Sequence, residues 1–263
     1  MTAAKRKKKQ NLHGEGIHIF EAVPGFIDGI WNEITSYQGQ KWGLPKSKKS
    51  LESLIGKVET EKLYGITDTK LQNVHLRKLL VDTLVDSNNV IRIKAMDWIV
   101  VNWGRIAKGK EAHNEWVVQL KDYDDASVEN FIKLKKNKRV SSWSKILAFY
   151  DFENYAIFDT RVAISLNTIF DKLGYDHRFF MPQSRDEELN DLFRSIRKHV
   201  GEKYDGQRPK YLGYSDYLRL LNSLHKKYPS SNILDLEMRL FANSERLGKE
   251  FAKKYDISYK ESE

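Results

Sequence analysis

The sequence contains no cysteine. This absence excludes disulfide bridges, thiolate zinc sites, cysteine nucleophiles and cysteine-ligated iron–sulfur clusters. Long apolar runs are missing as well, because no stretch approaches the roughly 18 residues that cross a bilayer. We therefore expect no membrane partner, and we interpret the chain as cytoplasmic.

The common catalytic signatures are also lacking. The sequence has no G-x-S-x-G elbow and no glycine-rich dinucleotide loop, and its seven histidines are scattered without an H-E-x-x-H pattern. The segment Gly104–Glu111 matches the phosphate-loop pattern G-x-x-x-x-G-K-[ST] except at its last position. There Glu111 replaces the hydroxyl residue that binds magnesium. Asp122, Asp124 and Asp125 could hold magnesium as in a nuclease, but such a turn is typical of a helix start. We expect no metal site and no cofactor.

What the chain has in excess is positive charge. The 263 residues carry a net charge of +9, with an isoelectric point near 9.3. Hydrophobic residues make up 40% and aromatic residues 12%, which is enough to build a core. The charge favours a polyanionic partner, nucleic acid before a membrane surface. The alternative is a soluble protein with a lysine-rich coat.

The apolar residues recur mostly at intervals of three and four, which predicts an all-α protein of roughly ten helices. Asp68 can cap one helix, Asn88 or Asn89 the next, and Ser230 or Ser231 a long final helix. At most one short strand is expected, around Tyr155–Phe158. We interpret residues 1–22 as a basic flexible tail, 23–255 as a single domain and 256–263 as a C-terminal tail.

One stretch, Ser141–Leu166, is expected to organise the rest of the chain. It predicts two helices, the second opening on Asp159, and it follows a helix over Ala126–Leu134 and a basic turn over Lys135–Val140. Between Asn130 and Tyr150 there are six lysines and arginines and no acid. A fixed carboxylate beside such a turn suits chemistry that develops positive charge on a sugar.

This stretch is expected to bind a nucleic-acid backbone. Backbone N–H groups at the start of the second helix can grip a phosphate, and Ser141 or Ser142 can cap that helix. The candidate cationic contacts are Lys135, Lys136, Lys138, Arg139, Lys145 and Arg161. Arg161 could instead pair with a surface acid.

The segment Phe158-Asp159-Thr160-Arg161 resembles the "VDTH" motif of the helix–hairpin–helix DNA glycosylases, and Asp151 lies eight residues before Asp159, as in the 8-oxoguanine branch. The resemblance covers residues 126–166. It implies an all-α, two-lobed helical globule that acts on DNA, with Asp159 as the catalytic carboxylate. Asp159 would stabilise an oxocarbenium ion or position a water after the base is flipped out. A plain helix cap is the alternative role for Asp159.

The resemblance also bears on the type of glycosylase. The family's hairpin is glycine-rich, whereas this one has no glycine. In the lyase branches of the family, a Schiff-base lysine lies at a fixed distance before the aspartate. Counted back from Asp159, that position is Val140 or Ser141 here, and Lys145 lies four residues after it. We therefore expect a monofunctional enzyme, monomeric by default.

Three aromatic residues, Trp143, Tyr150 and Tyr155, could stack on the flipped base or simply belong to the core. Two alternatives to a glycosylase stay open. One is a non-catalytic DNA- or RNA-binding protein on the same fold, and the other is a metal nuclease.

Overall fold

Asp68 and Asn88 begin helices, as the sequence predicts. In the computed structural model, the Asp68 side chain accepts a hydrogen bond from the Leu71 N–H, and the Asn88 side chain accepts one from the Val90 N–H. The final helix differs from expectation, since Asn232 rather than Ser230 or Ser231 accepts the capping bond, from the Asp235 N–H. Short polar side chains at these positions satisfy amides that have no partner within the helix.

The structure describes residue 20 and residues 23–35, 43–45, 48–86, 88–106, 110–120, 124–183, 189–202 and 211–260. Within these ranges there are twelve α-helices: α1 Phe26–Thr35, α2 Lys49–Ile55, α3 Lys57–Tyr64, α4 Thr69–Leu84, α5 Asn89–Asp97, α6 Lys110–Gln119, α7 Asp125–Lys135, α8 Val140–Tyr150, α9 Thr160–Lys172, α10 Asn190–Glu202, α11 Tyr214–Lys227 and α12 Ile233–Lys254. The helix α5 continues directly into a π-helix, Trp98–Trp103. The all-α class is confirmed.

The little strand structure lies elsewhere than predicted. Two strands of two residues each, β1 Arg178–Phe179 and β2 Tyr211–Leu212, pair in parallel. Residues 155–158 form no strand, so that prediction is wrong. Their backbone bonds to side chains instead: the Ile157 N–H donates to Glu237 and the Phe158 N–H donates to the Ser144 hydroxyl.

The helix α9 lies at the centre of the molecule, and every residue from Thr160 to Phe170 is buried. It packs chiefly along α12 and also contacts α10 and α1, while α8 packs against α4 and the π-helix. The buried apolar side chains form one continuous core. The proposed division into two lobes stays a prediction.

Both predicted tails are partly wrong in the residues that the structure describes. Phe20 is buried and contacts the rings of Phe26 and Phe170. At the other end, Ile257 packs against the core, and the Lys260 N–H donates to Asp191. Apart from Phe20, residues 1–22 lie outside the described residues, and so do residues 261–263. No helix in the described ranges has the length and apolar character of a membrane span.

Candidate functional site

The predicted succession of a helix, a short basic turn and a second helix is present, whereas the helix–hairpin–helix motif itself stays a prediction. The helix α7 ends at Lys135, a turn follows over residues 136–139, and α8 begins at Val140. Without glycine, the turn is made by Lys136 and Arg139, whose φ angles are 48° and 58°. The left-handed region is uncommon for such residues, so this turn stores some backbone strain.

The turn displays three exposed cations, Lys136, Lys138 and Arg139. Among the residues that the structure describes, none of the three forms an ion pair. Lys135 differs, because its ammonium group is 2.6 Å from a carboxylate oxygen of Glu115. Three of the predicted turn cations are therefore available to an anionic partner, and one is engaged within the protein.

The start of α8 has no side-chain cap. Arg139 occupies the capping position without a side-chain hydrogen bond, and the first turn contains no acid. Ser141 and Ser142 lie inside the helix, so the prediction that one of them caps it is wrong; the Ser141 hydroxyl is buried with no hydrogen-bond partner in the described structure. The Val140 N–H donates to the Asn137 carbonyl and the Ser142 N–H to the Arg139 carbonyl, so what favours a bound anion here is the helix dipole without an acid in the first turn.

Asp159 is the N-cap of α9, as predicted. Its Oδ1 accepts hydrogen bonds from the Arg161 N–H at 3.1 Å and the Val162 N–H at 3.3 Å. Its Oδ2 lies 3.6 Å from Nζ of Lys145, and the side chain keeps 19% of its surface exposed. One oxygen is thus fixed by the helix, and the other faces a cation at the edge of the core.

Lys145 was predicted to contact phosphate at the surface, and the structure contradicts this. Its side chain is only 5% exposed, and its Nζ donates a 2.9 Å hydrogen bond to the Ser141 carbonyl. Burial lowers the pKa of Lys145, an effect that the nearby Asp159 and Glu237 oppose. Lys145 therefore connects the first turn of α8 to the cap of α9.

The π-helix provides the space for this lysine. A methyl group on Gly104, which follows the π-helix, would lie 2.9 Å from Cδ of Lys145. Gly104 thus acts as packing space and not as part of a phosphate loop; residues 107–109 of that motif lie outside the described residues.

A second buried ion pair supports the segment that leads into Asp159. Glu237 of α12 lies 2.7 Å from the Arg77 guanidinium of α4, and both side chains are almost fully buried. The other oxygen of Glu237 accepts the Ile157 N–H at 2.7 Å. The pair therefore joins α4, α12 and the extended residues that precede the capping carboxylate.

Two tyrosines of α11 complete the surroundings. The Tyr214 hydroxyl donates to the Ala156 carbonyl at 2.8 Å, whereas the buried Tyr217 hydroxyl has no hydrogen-bond partner in the described structure. Burial raises the pKa of both tyrosines well above the usual value, and the charge of Glu237 adds to this effect. Both phenols are therefore neutral at ordinary pH.

Arg161 is buried rather than exposed, so the predicted contact with phosphate does not fit, and its pairing with an acid stays a prediction. Its guanidinium lies 5.0 Å from the ring centre of Phe241 and 5.8 Å from that of Phe193, and it bonds to the Ser244 hydroxyl at 3.4 Å. This side chain fastens α10 and α12 to the start of α9.

The predicted base-stacking residues divide into two groups. Trp143 is fully buried between Phe131 and Tyr214, and Tyr155 is 3% exposed. For these two residues the core alternative is confirmed and the base-stacking role is wrong. Tyr150 is half-buried, and its role stays a prediction.

The candidate metal ligands in the sequence lie in the acidic turn before α7. Asp124 caps α7 by accepting the Ser127 N–H, whereas Asp122 and the side chain of Asp125 lie outside the described residues. The described residues contain no group of three potential metal ligands.

A small depression of about 50 Å³ opens beside Thr160, the residue after Asp159. It is lined by Pro182, Gln183, Asn190 and the α10 residues Phe193, Arg194 and Arg197. The Thr160 hydroxyl donates to the Pro182 carbonyl at 2.9 Å, which fixes one wall. This depression was not predicted. Its signal in the sequence is the pair of arginines three residues apart on an amphipathic helix.

The sequence analysis also missed Arg77 and Glu237. Each is a charged residue on an otherwise apolar helical face, and such complementary interruptions are the signal that could have revealed the pair. Comparison of the chain with protein-family models, curated proteins and solved structures gave no match.

Proposed function

We propose that this protein is a DNA glycosylase that removes a damaged or modified base by hydrolysing the N-glycosidic bond. The observation that carries the proposal is the geometry of Asp159. Its carboxylate is fixed by two backbone amides, remains partly accessible, and lies one salt bridge away from a helix that starts at an exposed cationic turn.

In the proposed reaction, Asp159 faces the sugar of the flipped nucleotide. As the bond between C1′ and the base nitrogen breaks, positive charge develops on the sugar, and the carboxylate stabilises it. A water oxygen then bonds to C1′, and the proton it releases is taken up by the departing base. The two amides hold Asp159 in one orientation, so little reorganisation is required during the reaction.

DNA binding would use the turn over residues 136–139. Phosphates would meet Lys136, Lys138 and Arg139 at the positive end of the α8 dipole. This arrangement contacts only the backbone and leaves base recognition to other parts of the protein.

The position of Lys145 favours a second candidate reaction. Residue counting placed this lysine too late for an amine role, but its Nζ lies 3.6 Å from Asp159. A buried lysine with a lowered pKa supplies neutral amine more readily. In this version the amine attacks C1′, the base leaves with a proton, and the sugar ring opens to an imine. The protein would then be a glycosylase with lyase activity.

The test uses duplexes that each contain one modified base, incubated with the protein and then treated with alkali. We expect alkali-dependent strand breaks with at least one substrate, and at least a hundredfold slower reaction with Asp159→Asn. Asp68→Asn is the matched control, because Asp68 also caps a helix through a backbone N–H. Asparagine keeps both caps, so both variants should fold.

Other outcomes discriminate between the alternatives. Borohydride trapping of a covalent complex that is lost in Lys145→Met would favour the amine reaction. Breaks that need magnesium and no alkali would indicate a nuclease. Tight binding to every duplex without release of a base would leave the non-catalytic binding protein as the explanation.

A further inference from the structure

The helix α10 presents a second cationic face next to the site. Arg194 and Arg197 are exposed, and within the described part of the chain neither forms an ion pair or a side-chain hydrogen bond. They are three residues apart, so their side chains leave the same side of the helix, about 5–6 Å from each other. Uncompensated neighbouring arginines repel each other, and an anion between them would relieve this repulsion.

The position of these arginines is fixed relative to Asp159. Both line the depression that is also lined by Thr160, the first residue of α9. The helix α10 is held in place because Phe193 packs under the guanidinium of Arg161, two residues after Asp159. The arginines are therefore carried on a rigid support beside the proposed catalytic carboxylate.

We infer that Arg194 and Arg197 form a second phosphate-binding surface for the same DNA. This inference rests on the proposed function. The turn over residues 136–139 would bind the backbone at one helix start, and the α10 arginines would bind phosphates near the start of α9. A DNA strand offers one phosphate per 3.4 Å of helix axis, so two arginines spaced in this way can contact neighbouring phosphates. Arginine also suits the site because its planar fork binds phosphate through two parallel bonds.

The test measures how strongly salt weakens DNA binding. The probe is a fluorescein-labelled duplex of about two helical turns with one tetrahydrofuran abasic-site analogue, which binds without turnover. The slope of log K against log salt is negative, and each lost phosphate contact reduces its magnitude by about 0.9. For Arg194→Gln/Arg197→Gln we expect a slope whose magnitude is smaller by about 1.8. We also expect an affinity reduced about tenfold or more at 0.1 M salt.

The matched control is Lys49→Gln/Lys57→Gln, which also removes two exposed positive charges. These lysines lie on α2 and α3, which pack against α4 and α5. The control should change the slope far less, and both double variants should unfold at the temperature of the unmodified protein.

The outcomes separate this inference from the proposed function. If Lys136→Gln/Lys138→Gln weakens binding and the arginine variant changes neither slope nor affinity, the α10 surface is refuted and the glycosylase proposal stands. If the unmodified protein binds every modified duplex and releases no base, the proposed function fails whatever the arginine result.

Discussion

Nζ of Lys145 lies 3.6 Å from Oδ2 of Asp159, although the two residues belong to different helices. A buried ammonium group is costly unless an opposite charge accompanies it. Here the neighbouring charges balance, since Lys145 and Arg77 face Asp159 and Glu237. The arrangement places a partly accessible carboxylate at the end of a buried chain of alternating charges.

Lys145 should make the stability of the protein depend on pH in the alkaline range. Burial lowers its pKa in the folded state below the ordinary value of 10.5. Between the folded pKa and 10.5 the unfolded chain therefore binds more protons, and the free energy of unfolding contributed by this group rises with pH. Urea unfolding of the unmodified protein and of Lys145→Met, from pH 7 upwards, should show a difference that shifts in favour of the unmodified protein.

The comparison with Lys145→Met isolates this effect. The buried tyrosines Tyr214 and Tyr217 titrate at still higher pH, but they are present in both proteins and cancel in the difference. A difference that stays constant up to pH 10.5 would mean that the lysine has an ordinary pKa, and the amine reaction would lose its support.

Gly104→Ala should disturb both stability and activity. The added methyl group would lie 2.7 Å from the Val100 carbonyl oxygen and 2.9 Å from Cδ of Lys145. Overpacking of this kind costs about 1–3 kcal/mol. We expect this loss in urea unfolding, together with reduced activity because the lysine must shift away from Asp159. Gly43→Ala is the control, since a methyl group there meets nothing within 4 Å; equal losses in both variants would contradict the packing explanation.

Local features of the fold could be predicted from the sequence, and long-range ones could not. The caps at Asp68 and Asp159 and the turn between α7 and α8 depend on residues within a few positions, and the structure confirms them. The burial of Lys145 and Arg161 depends on which distant helices cover α8 and α9. The local sequence contains no information about those helices, and for that reason it predicts both residues as surface cations.

The start of α12 shows how narrow this local information is. The sequence Ser230-Ser231-Asn232 offers three capping side chains in a row, and only the backbone path selects Asn232. The side-chain Oδ1 of Asn232 accepts the Asp235 N–H at 2.8 Å. Propensity alone ranks these residues almost equally, which is why the predicted cap was wrong.

Asn232→Ala should therefore destabilise the protein, whereas Ser230→Ala should not. Loss of an N-cap typically costs about 1 kcal/mol. Ser230 is exposed and lies two residues before the capping residue Asn232, so its replacement should change the free energy of unfolding by less than about 0.5 kcal/mol. Thermal unfolding of the two variants under identical conditions gives the measurement, and the reverse order of stability would contradict the observed cap.

The Arg77–Glu237 pair allows the sharpest test of the buried charge network. Replacement of Glu237 by Gln leaves the Arg77 guanidinium without its anionic partner in the core, and such a loss costs about 3–5 kcal/mol. Arg77→Met leaves the carboxylate unpaired and should be similarly destabilising. The double variant removes both charges and should be less destabilised than the sum of the single variants.

A double-mutant cycle by urea unfolding measures this coupling. Glutamine at position 237 retains an oxygen that can accept the Ile157 N–H, so the cycle reports the charge pair rather than the loss of that backbone bond. We expect a coupling of at least about 2 kcal/mol, within the range found for contacting residues. If the losses in free energy of unfolding are additive, the two side chains contribute independently. The ion pair would then not be what fixes residues 155–158, which precede Asp159.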